Sequence, residues 1–191
     1  MTRRILLTVL VLGAVGSVAG FGAYSAFTAT TTNTGNTITA GTVEISQHAG
    51  AATLYSLTNQ GPGASTTKCI RVTYTGSLAA SVKLYVSAGI TNGTAFTLQV
   101  ERGSGLTTLD NTMSCAGFTS TSTAFATAAI GTFGTNYGAG YDGKAGGAAW
   151  ATNNSVDYRF TISIVDDATP NAHTSALSTA AHTFTWEARN N

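Results

Sequence analysis

Apolar and polar residues alternate with a period of two along most of this 191-residue chain. Phe96, Leu98 and Val100, for example, alternate with Thr97 and Gln99. Successive side chains of a β-strand point to opposite faces, so this pattern predicts strands that each have one buried face. Clear alternation covers residues 70–74, 82–87, 96–100, 158–164 and 184–188, and weaker patterns cover residues 38–47, 52–57 and 119–126.

Turn-forming residues separate the predicted strands, as in Gly61-Pro62-Gly63 and Thr91-Asn92-Gly93. About seven to nine strands in one domain fit an all-β fold, namely an antiparallel two-sheet sandwich that is jelly-roll-like or of Greek-key type. Residues 131–149 hold Tyr137 and Tyr141 among seven glycines, and this composition predicts one long loop. A loop of that length is usually functional or disordered.

The N-terminus has a different pattern, with Arg3 and Arg4 followed by an apolar run over residues 5–19. Its length suits a signal peptide and is short for a membrane span. The small residues Ala23 and Ser25 fit the −3 and −1 positions of a signal peptidase, so we predict cleavage between Ser25 and Ala26. An uncleaved anchor over residues 5–23, or export by the twin-arginine route, are the alternatives.

This interpretation divides the chain into a signal peptide (1–25), an N-terminal segment (26–37) and a single β-sandwich domain (38–191). Removing residues 1–25 takes away two of nine basic residues, which leaves seven against eight acidic ones. Seven scattered cations form no basic patch, so no nucleic-acid partner is expected, and contact with a membrane is expected only during export. We expect a secreted protein that is extracellular or on the cell surface.

Cys69 and Cys115 are the two cysteines of the sequence. In an oxidising compartment such a pair usually forms a disulfide. Closing a loop of about 46 residues would stabilise the fold by about 4 kcal/mol on the chain-entropy model. Two buried free thiols or half of a metal site are the alternatives, although no CxxC motif or nearby histidine supports a metal.

Three segments together resemble the TasA/camelysin family of secreted matrix proteins. Residues 32–45, TNTGNTITAGTVEI, are similar to the family pattern TxTxNTFxAGTLDL, and they follow the candidate cleavage site. Residues 61–84 resemble the family's PG…NxGxLxxxVxL element, and residues 184–190, FTWEARN, resemble its FxFEATQ ending. Two features depart from the family: residues 28–30 replace an acidic stretch, and the cysteine pair is not general. Archaeal bundling pili are similar in fold and export signal.

The resemblance implies a filament subunit that donates its N-terminal segment to the next copy as an extra strand. Residues 26–37 are rich in Thr and Asn and lack an apolar face, so a neighbour's sheet edge would satisfy their backbone. Phe27 would insert its apolar side chain into the neighbouring copy. The alternative is a flexible tail. The predicted subunit interface consists of Ala26, Phe27, Thr28, Ala29, Thr30, Thr31, Thr32 and Asn33.

The partner on this interpretation is another copy of the chain, in a homopolymer filament, with other matrix or surface proteins as further partners. The second interpretation is a monomeric cell-surface binding or adhesion module that uses residues 131–149 with Tyr137 and Tyr141.

A secreted metalloprotease comes last, because the sequence has no HExxH motif and His48, His173 and His182 lie far apart. GxSxG is also missing, so we expect no enzyme activity, no cofactor and no metal site. Asp157, Asp166 and Asp167 offer oxygens for calcium but are more typical of solvated turns.

Overall fold

A computed structural model describes residues 40–50, 52–56, 60–86, 90–166, 179 and 181–190. The predicted signal peptide, cleavage site and donated segment lie outside these residues. Within them, no helix is long and apolar enough to cross a bilayer. The strands are β1 (Ile45–Gln47), β2 (Ser65–Tyr74), β3 (Ala80–Val86), β4 (Phe96–Ser104), β5 (Thr119–Ala129), β6 (Tyr141–Asp142), β7 (Ser155–Ile164) and β8 (Phe184–Asn190).

The strands form two antiparallel sheets, which confirms the predicted all-β sandwich. One sheet has the order β1-β2-β7-β4-β5, and the other has the order β6-β3-β8. The chain changes sheet between β2 and β3, between β3 and β4, and at each step from β5 to β8. The long β2 and β4 both pair with β7, which therefore lies at the centre of the larger sheet.

The core lies between the sheets, where the alternating apolar residues of both inner faces meet. Aromatic pairs join the two layers: the ring centroids of Phe160 and Phe184 are 4.7 Å apart, and those of Tyr158 and Trp186 are 5.3 Å apart. Removing this apolar area from water is the main favourable term in folding. Among its buried members are Ile70, Val72, Tyr74, Val82, Leu84, Val86, Leu98, Val100, Tyr158, Phe160 and Ile162.

Three predictions about local structure need correction. Residues 52–56 form no strand, although Leu54 and Tyr55 pack against the core, because a short apolar run can be buried in an irregular segment as well. The first strand begins at Ile45. Residues 131–149 are not one plain loop: they contain β6, which pairs with Lys83 and Leu84, and two short 3-10 turns, and a third such turn, Ile130–Thr132, overlaps their start.

Candidate functional site

The outer edge of β8 is the most distinctive surface of the smaller sheet. β8 pairs with β3 over the register Ala80↔Asn190 to Val86↔Phe184. In the described part of the chain, no strand pairs with its other side. An unpaired edge presents a row of backbone N–H and C=O groups that another strand can use.

The hydrogen bonds of β3 show which β8 residues face outward. The Val82 carbonyl accepts from Gly143 N–H (2.7 Å), and Val86 N–H donates to the Gly134 carbonyl (2.8 Å), both on the side away from β8. The N–H and C=O groups of successive strand residues point to opposite sides of the strand. The β8 residues opposite Val82 and Val86 therefore direct their N–H and C=O groups away from β3. The outward-facing residues of β8 are therefore Phe184, Trp186 and Ala188.

On the inner face of the smaller sheet, the side chains of β3 are covered more completely than those of β8. Leu84 and Val86 of β3 are completely buried. Phe184 and Trp186 of β8 pack against the same core but remain only partly buried. Since β8 is an edge strand, no further strand of the described part of the chain lies beside its aromatic side chains.

A groove runs along this edge between β8 of one sheet and β1 of the other. Its volume is about 240 Å³. An engineered apolar cavity of about 150 Å³ already binds benzene, so the groove has room for an aromatic side chain. It is lined by Ile45, Ser46, Gln47, Val72, Phe184, Thr185 and Trp186.

Gln47 and Trp186 lie on opposite walls of the groove. Oε1 of Gln47 is buried and has no hydrogen-bond partner among the described residues, which costs about 1–3 kcal/mol. Nε1 of Trp186 is buried as well and lies beside the hydroxyl of Tyr158 in the core. The polar groups that an extended peptide could use here are therefore those of the β8 backbone edge.

Tyr55 and His182 pack around Phe184, the groove residue at the start of β8. The Tyr55 hydroxyl is hydrogen-bonded to Nε2 of His182, and the ring centroid of His182 lies 5.6 Å from that of Phe184. Burial raises the pKa of the Tyr55 hydroxyl well above its ordinary value. The Tyr55 ring also packs on Phe184, with the ring centroids 6.2 Å apart.

Residues 40–44 lead into β1 and lie beside the turn that connects β2 to β3. Leu78 N–H donates to the Thr42 carbonyl (3.1 Å), and Thr75 N–H donates to the Glu44 carbonyl (2.9 Å). Thr42 N–H also donates to the Ser77 hydroxyl (2.9 Å). These bonds hold the described start of the chain at the same end of the sandwich as Ile45 of the groove.

Cys69 and Cys115 form the predicted disulfide, and no free cysteine occurs among the described residues. The bridge ties β2 to the segment between β4 and β5, on the outer face of the larger sheet. Met113 of that segment accepts a hydrogen bond from Cys69 N–H (2.9 Å). The disulfide is therefore a structural cross-link that lies outside the groove.

The other sequence candidates serve internal contacts. Tyr137 donates its hydroxyl proton to the Ser81 carbonyl (3.2 Å), and the Tyr141 ring packs 4.8 Å from Phe133. Nδ1 of His48 accepts from Arg71 N–H (2.9 Å). Asp157 is buried and bound by Arg71, Asp166 is exposed, and Asp167 and His173 lie outside the described residues.

Sequence reasoning missed the groove, although its residues were visible as members of predicted strands. The alternation over residues 184–188 predicts that Phe184 and Trp186 share a buried face, and they do pack against the core, but from an open edge. Gln47 at the end of β1 gave no separate signal. Within the described residues, no three His, Cys, Asp or Glu side chains lie close enough together to hold a metal ion.

No protein-family model matches this chain, and no curated protein matches it either. The resemblance to the TasA/camelysin family therefore rests on the motifs described above.

Proposed function

We propose that this protein is a secreted structural subunit of an extracellular filament. Residues 26–37 of one copy add a strand to the outer edge of β8 in the next copy, and assembly involves no catalysis. The observation that carries this proposal is the open β8 edge beside a groove that has room for an aromatic side chain. The family resemblance of the N-terminal segment supports the same conclusion.

The dimensions and chemistry of the two parts are compatible. β8 has seven residues, which span about 23 Å at the usual rise per strand residue. Residues 26–37 are long enough to cover it when extended. Phe27 is the aromatic side chain of the segment, and the groove has room for one. The Thr- and Asn-rich remainder contributes through backbone hydrogen bonds, each with a net value of about 0.5–1.5 kcal/mol.

A monomeric binding module is a weaker interpretation. It would use residues 131–149 with Tyr137 and Tyr141. Tyr141 packs against Phe125 and Phe133, and the Tyr137 ring lies 4.0 Å below the Arg189 guanidinium. Both rings are therefore partly taken up by contacts within the molecule.

Deleting residues 26–37 tests the proposal. The chain that begins at Ala26 is expected to form thin filaments on concentration, as seen by negative-stain electron microscopy, whereas the deletion variant stays monomeric and keeps its thermal unfolding midpoint. A matched control replaces residues 26–37 by a Gly/Ser linker of equal length. This linker supplies backbone but no Phe27, and we expect it to assemble poorly.

A synthetic peptide of residues 26–37 provides the complementary test. Added in excess to the full-length mature chain, it is expected to occupy the groove and shorten the filaments. Filaments of normal length from the deletion variant would contradict the proposal. A chain that stays monomeric at every pH and concentration would favour the binding module.

A further inference from the structure

Two exposed apolar residues lie on neighbouring backbone segments beside the described start of the chain. Within the described residues, the exposed large hydrophobics are Val43 (38%), Leu78 (39%) and Leu109 (45%). Val43 follows Thr42, whose carbonyl accepts from Leu78 N–H (3.1 Å). The Leu78 side chain also covers Gly41, because a Cβ at that position would lie 2.4 Å from it. We refer to Val43 and Leu78 as the apolar pair.

The apolar pair is held in a fixed arrangement. Thr42 N–H donates to the Ser77 hydroxyl (2.9 Å), and Ser77 N–H donates to the Thr42 hydroxyl (3.3 Å). These reciprocal bonds join the two backbone segments that carry Val43 and Leu78. A surface that is ordered beforehand loses little conformational entropy when a partner covers it.

The proposed assembly places a second copy next to this surface. Only Ile38 and Thr39 separate the donated segment from Ala40. Three Cα-to-Cα steps span at most about 11 Å, so the copy that receives residues 26–37 lies within about that distance of Ala40. Val43 is three residues from Ala40, and Leu78 packs on its neighbour Gly41.

We infer that Val43 and Leu78 form a second contact between adjacent copies of the chain, next to the donated strand. This inference rests on the proposed function, and the partner is a second copy of this protein. Single exposed apolar residues are common on protein surfaces, but a neighbour tethered this closely would cover these two. The contact fixes the orientation of one subunit on the next, which the short tether alone does not do.

The test compares Val43→Thr, Leu78→Gln and their double variant with the wild-type chain, all beginning at Ala26. Leu109→Gln is the matched control, because Leu109 is somewhat more exposed than Val43 and Leu78 and lies elsewhere, in the segment between β4 and β5. The readout is the critical concentration for filament formation, measured by sedimentation. The thermal unfolding midpoint reports on the fold of each variant.

We expect the double variant to raise the critical concentration about tenfold, which corresponds to about 1.4 kcal/mol, while the Leu109 variant stays at the wild-type value. A double variant that assembles like wild type would overturn the inference and leave the proposed function intact. If deletion of residues 26–37 also leaves assembly unchanged, the proposed function fails as well. If Leu78→Gln lowers the unfolding midpoint, the critical concentration of the Val43→Thr variant alone still tests the inference.

Discussion

Ala188 of β8 lies directly opposite Val82 of β3, yet their backbone groups do not face each other. The Val82 carbonyl accepts from Gly143 N–H on the far side of β3, so the N–H and C=O of Ala188 point to the outer edge of the sheet. Val82 is 3% exposed, whereas Ala188 is only partly covered. This pair marks where the smaller sheet ends and where another strand would continue it.

Proline at position 188 should separate folding from assembly. Ala188→Pro removes an N–H that β3 does not use, and edge strands tolerate proline in that orientation. We expect the variant to unfold near the wild-type temperature and to form no filaments. Normal filaments from Ala188→Pro would contradict the assignment of the β8 edge.

Glu187→Pro is the matched control for Ala188→Pro. The Glu187 N–H faces Lys83 across the strand pair, so its loss leaves a ladder acceptor unpaired at a cost of about 1–3 kcal/mol. We expect a lower midpoint in urea unfolding. Glu187 also accepts from the Tyr85 hydroxyl (2.7 Å) and pairs with Arg189, so Glu187→Ala measures the loss of these side-chain contacts separately.

The groove carries its own fluorescent reporter. The chain has two tryptophans: Trp150 is fully buried and Trp186 lines the groove. In a Trp150→Phe variant that lacks residues 26–37, adding the peptide 26–37 should shift the Trp186 emission to the blue and reduce its quenching by acrylamide. The Trp186→Phe counterpart, which keeps Trp150, should show no change. Unchanged Trp186 emission at saturating peptide would place the binding site elsewhere.

Removing the disulfide should lower stability without abolishing the fold's topology. Closing the 46-residue separation between Cys69 and Cys115 corresponds to about 4 kcal/mol on the chain-entropy model. We expect the Cys69→Ala/Cys115→Ala variant to lose free energy of unfolding of this order in denaturant titrations. Addition of a thiol reductant should reproduce the effect in the wild type and have none in the double variant.

The ion pair between Asp157 and Arg71 should matter more than any surface pair. Arg71 Nε lies 2.5 Å from Asp157 Oδ1, its Nη2 donates to Oδ2 (2.8 Å), and Leu106 N–H donates to the same Oδ2 (2.8 Å). Asp157→Asn leaves the partly buried guanidinium of Arg71 without its counter-charge. We expect the free energy of unfolding to fall by about 3 kcal/mol.

Asp142→Asn is the control for Asp157→Asn, because Asp142 pairs with Lys83 at a similar distance but its side chain is 39% exposed, against 2% for Asp157. Exposed pairs contribute about 0–1 kcal/mol, so we expect little change. If both variants lose the same free energy of unfolding in urea, burial of the Asp157 carboxylate does not set the strength of its pair with Arg71.

Local patterns were sufficient for most strands, including β3, β4 and β7, because one side of each is buried and the side chains alternate strictly. They failed where burial comes without alternation. Tyr55 reaches the core from an irregular segment, and Tyr141 reaches it from a two-residue strand in a glycine-rich stretch. Periodicity needs several residues to be visible, and neither segment offers them.

Alternation and the presence of just two cysteines are properties of the chain alone, and they were enough to predict the all-β class, the antiparallel sandwich and a disulfide between Cys69 and Cys115. The three-dimensional arrangement was needed to place Phe184 and Trp186 at an open edge, with Gln47 across a groove from them. An edge strand and a central strand have the same alternation, and which one a segment becomes depends on which strands pair beside it.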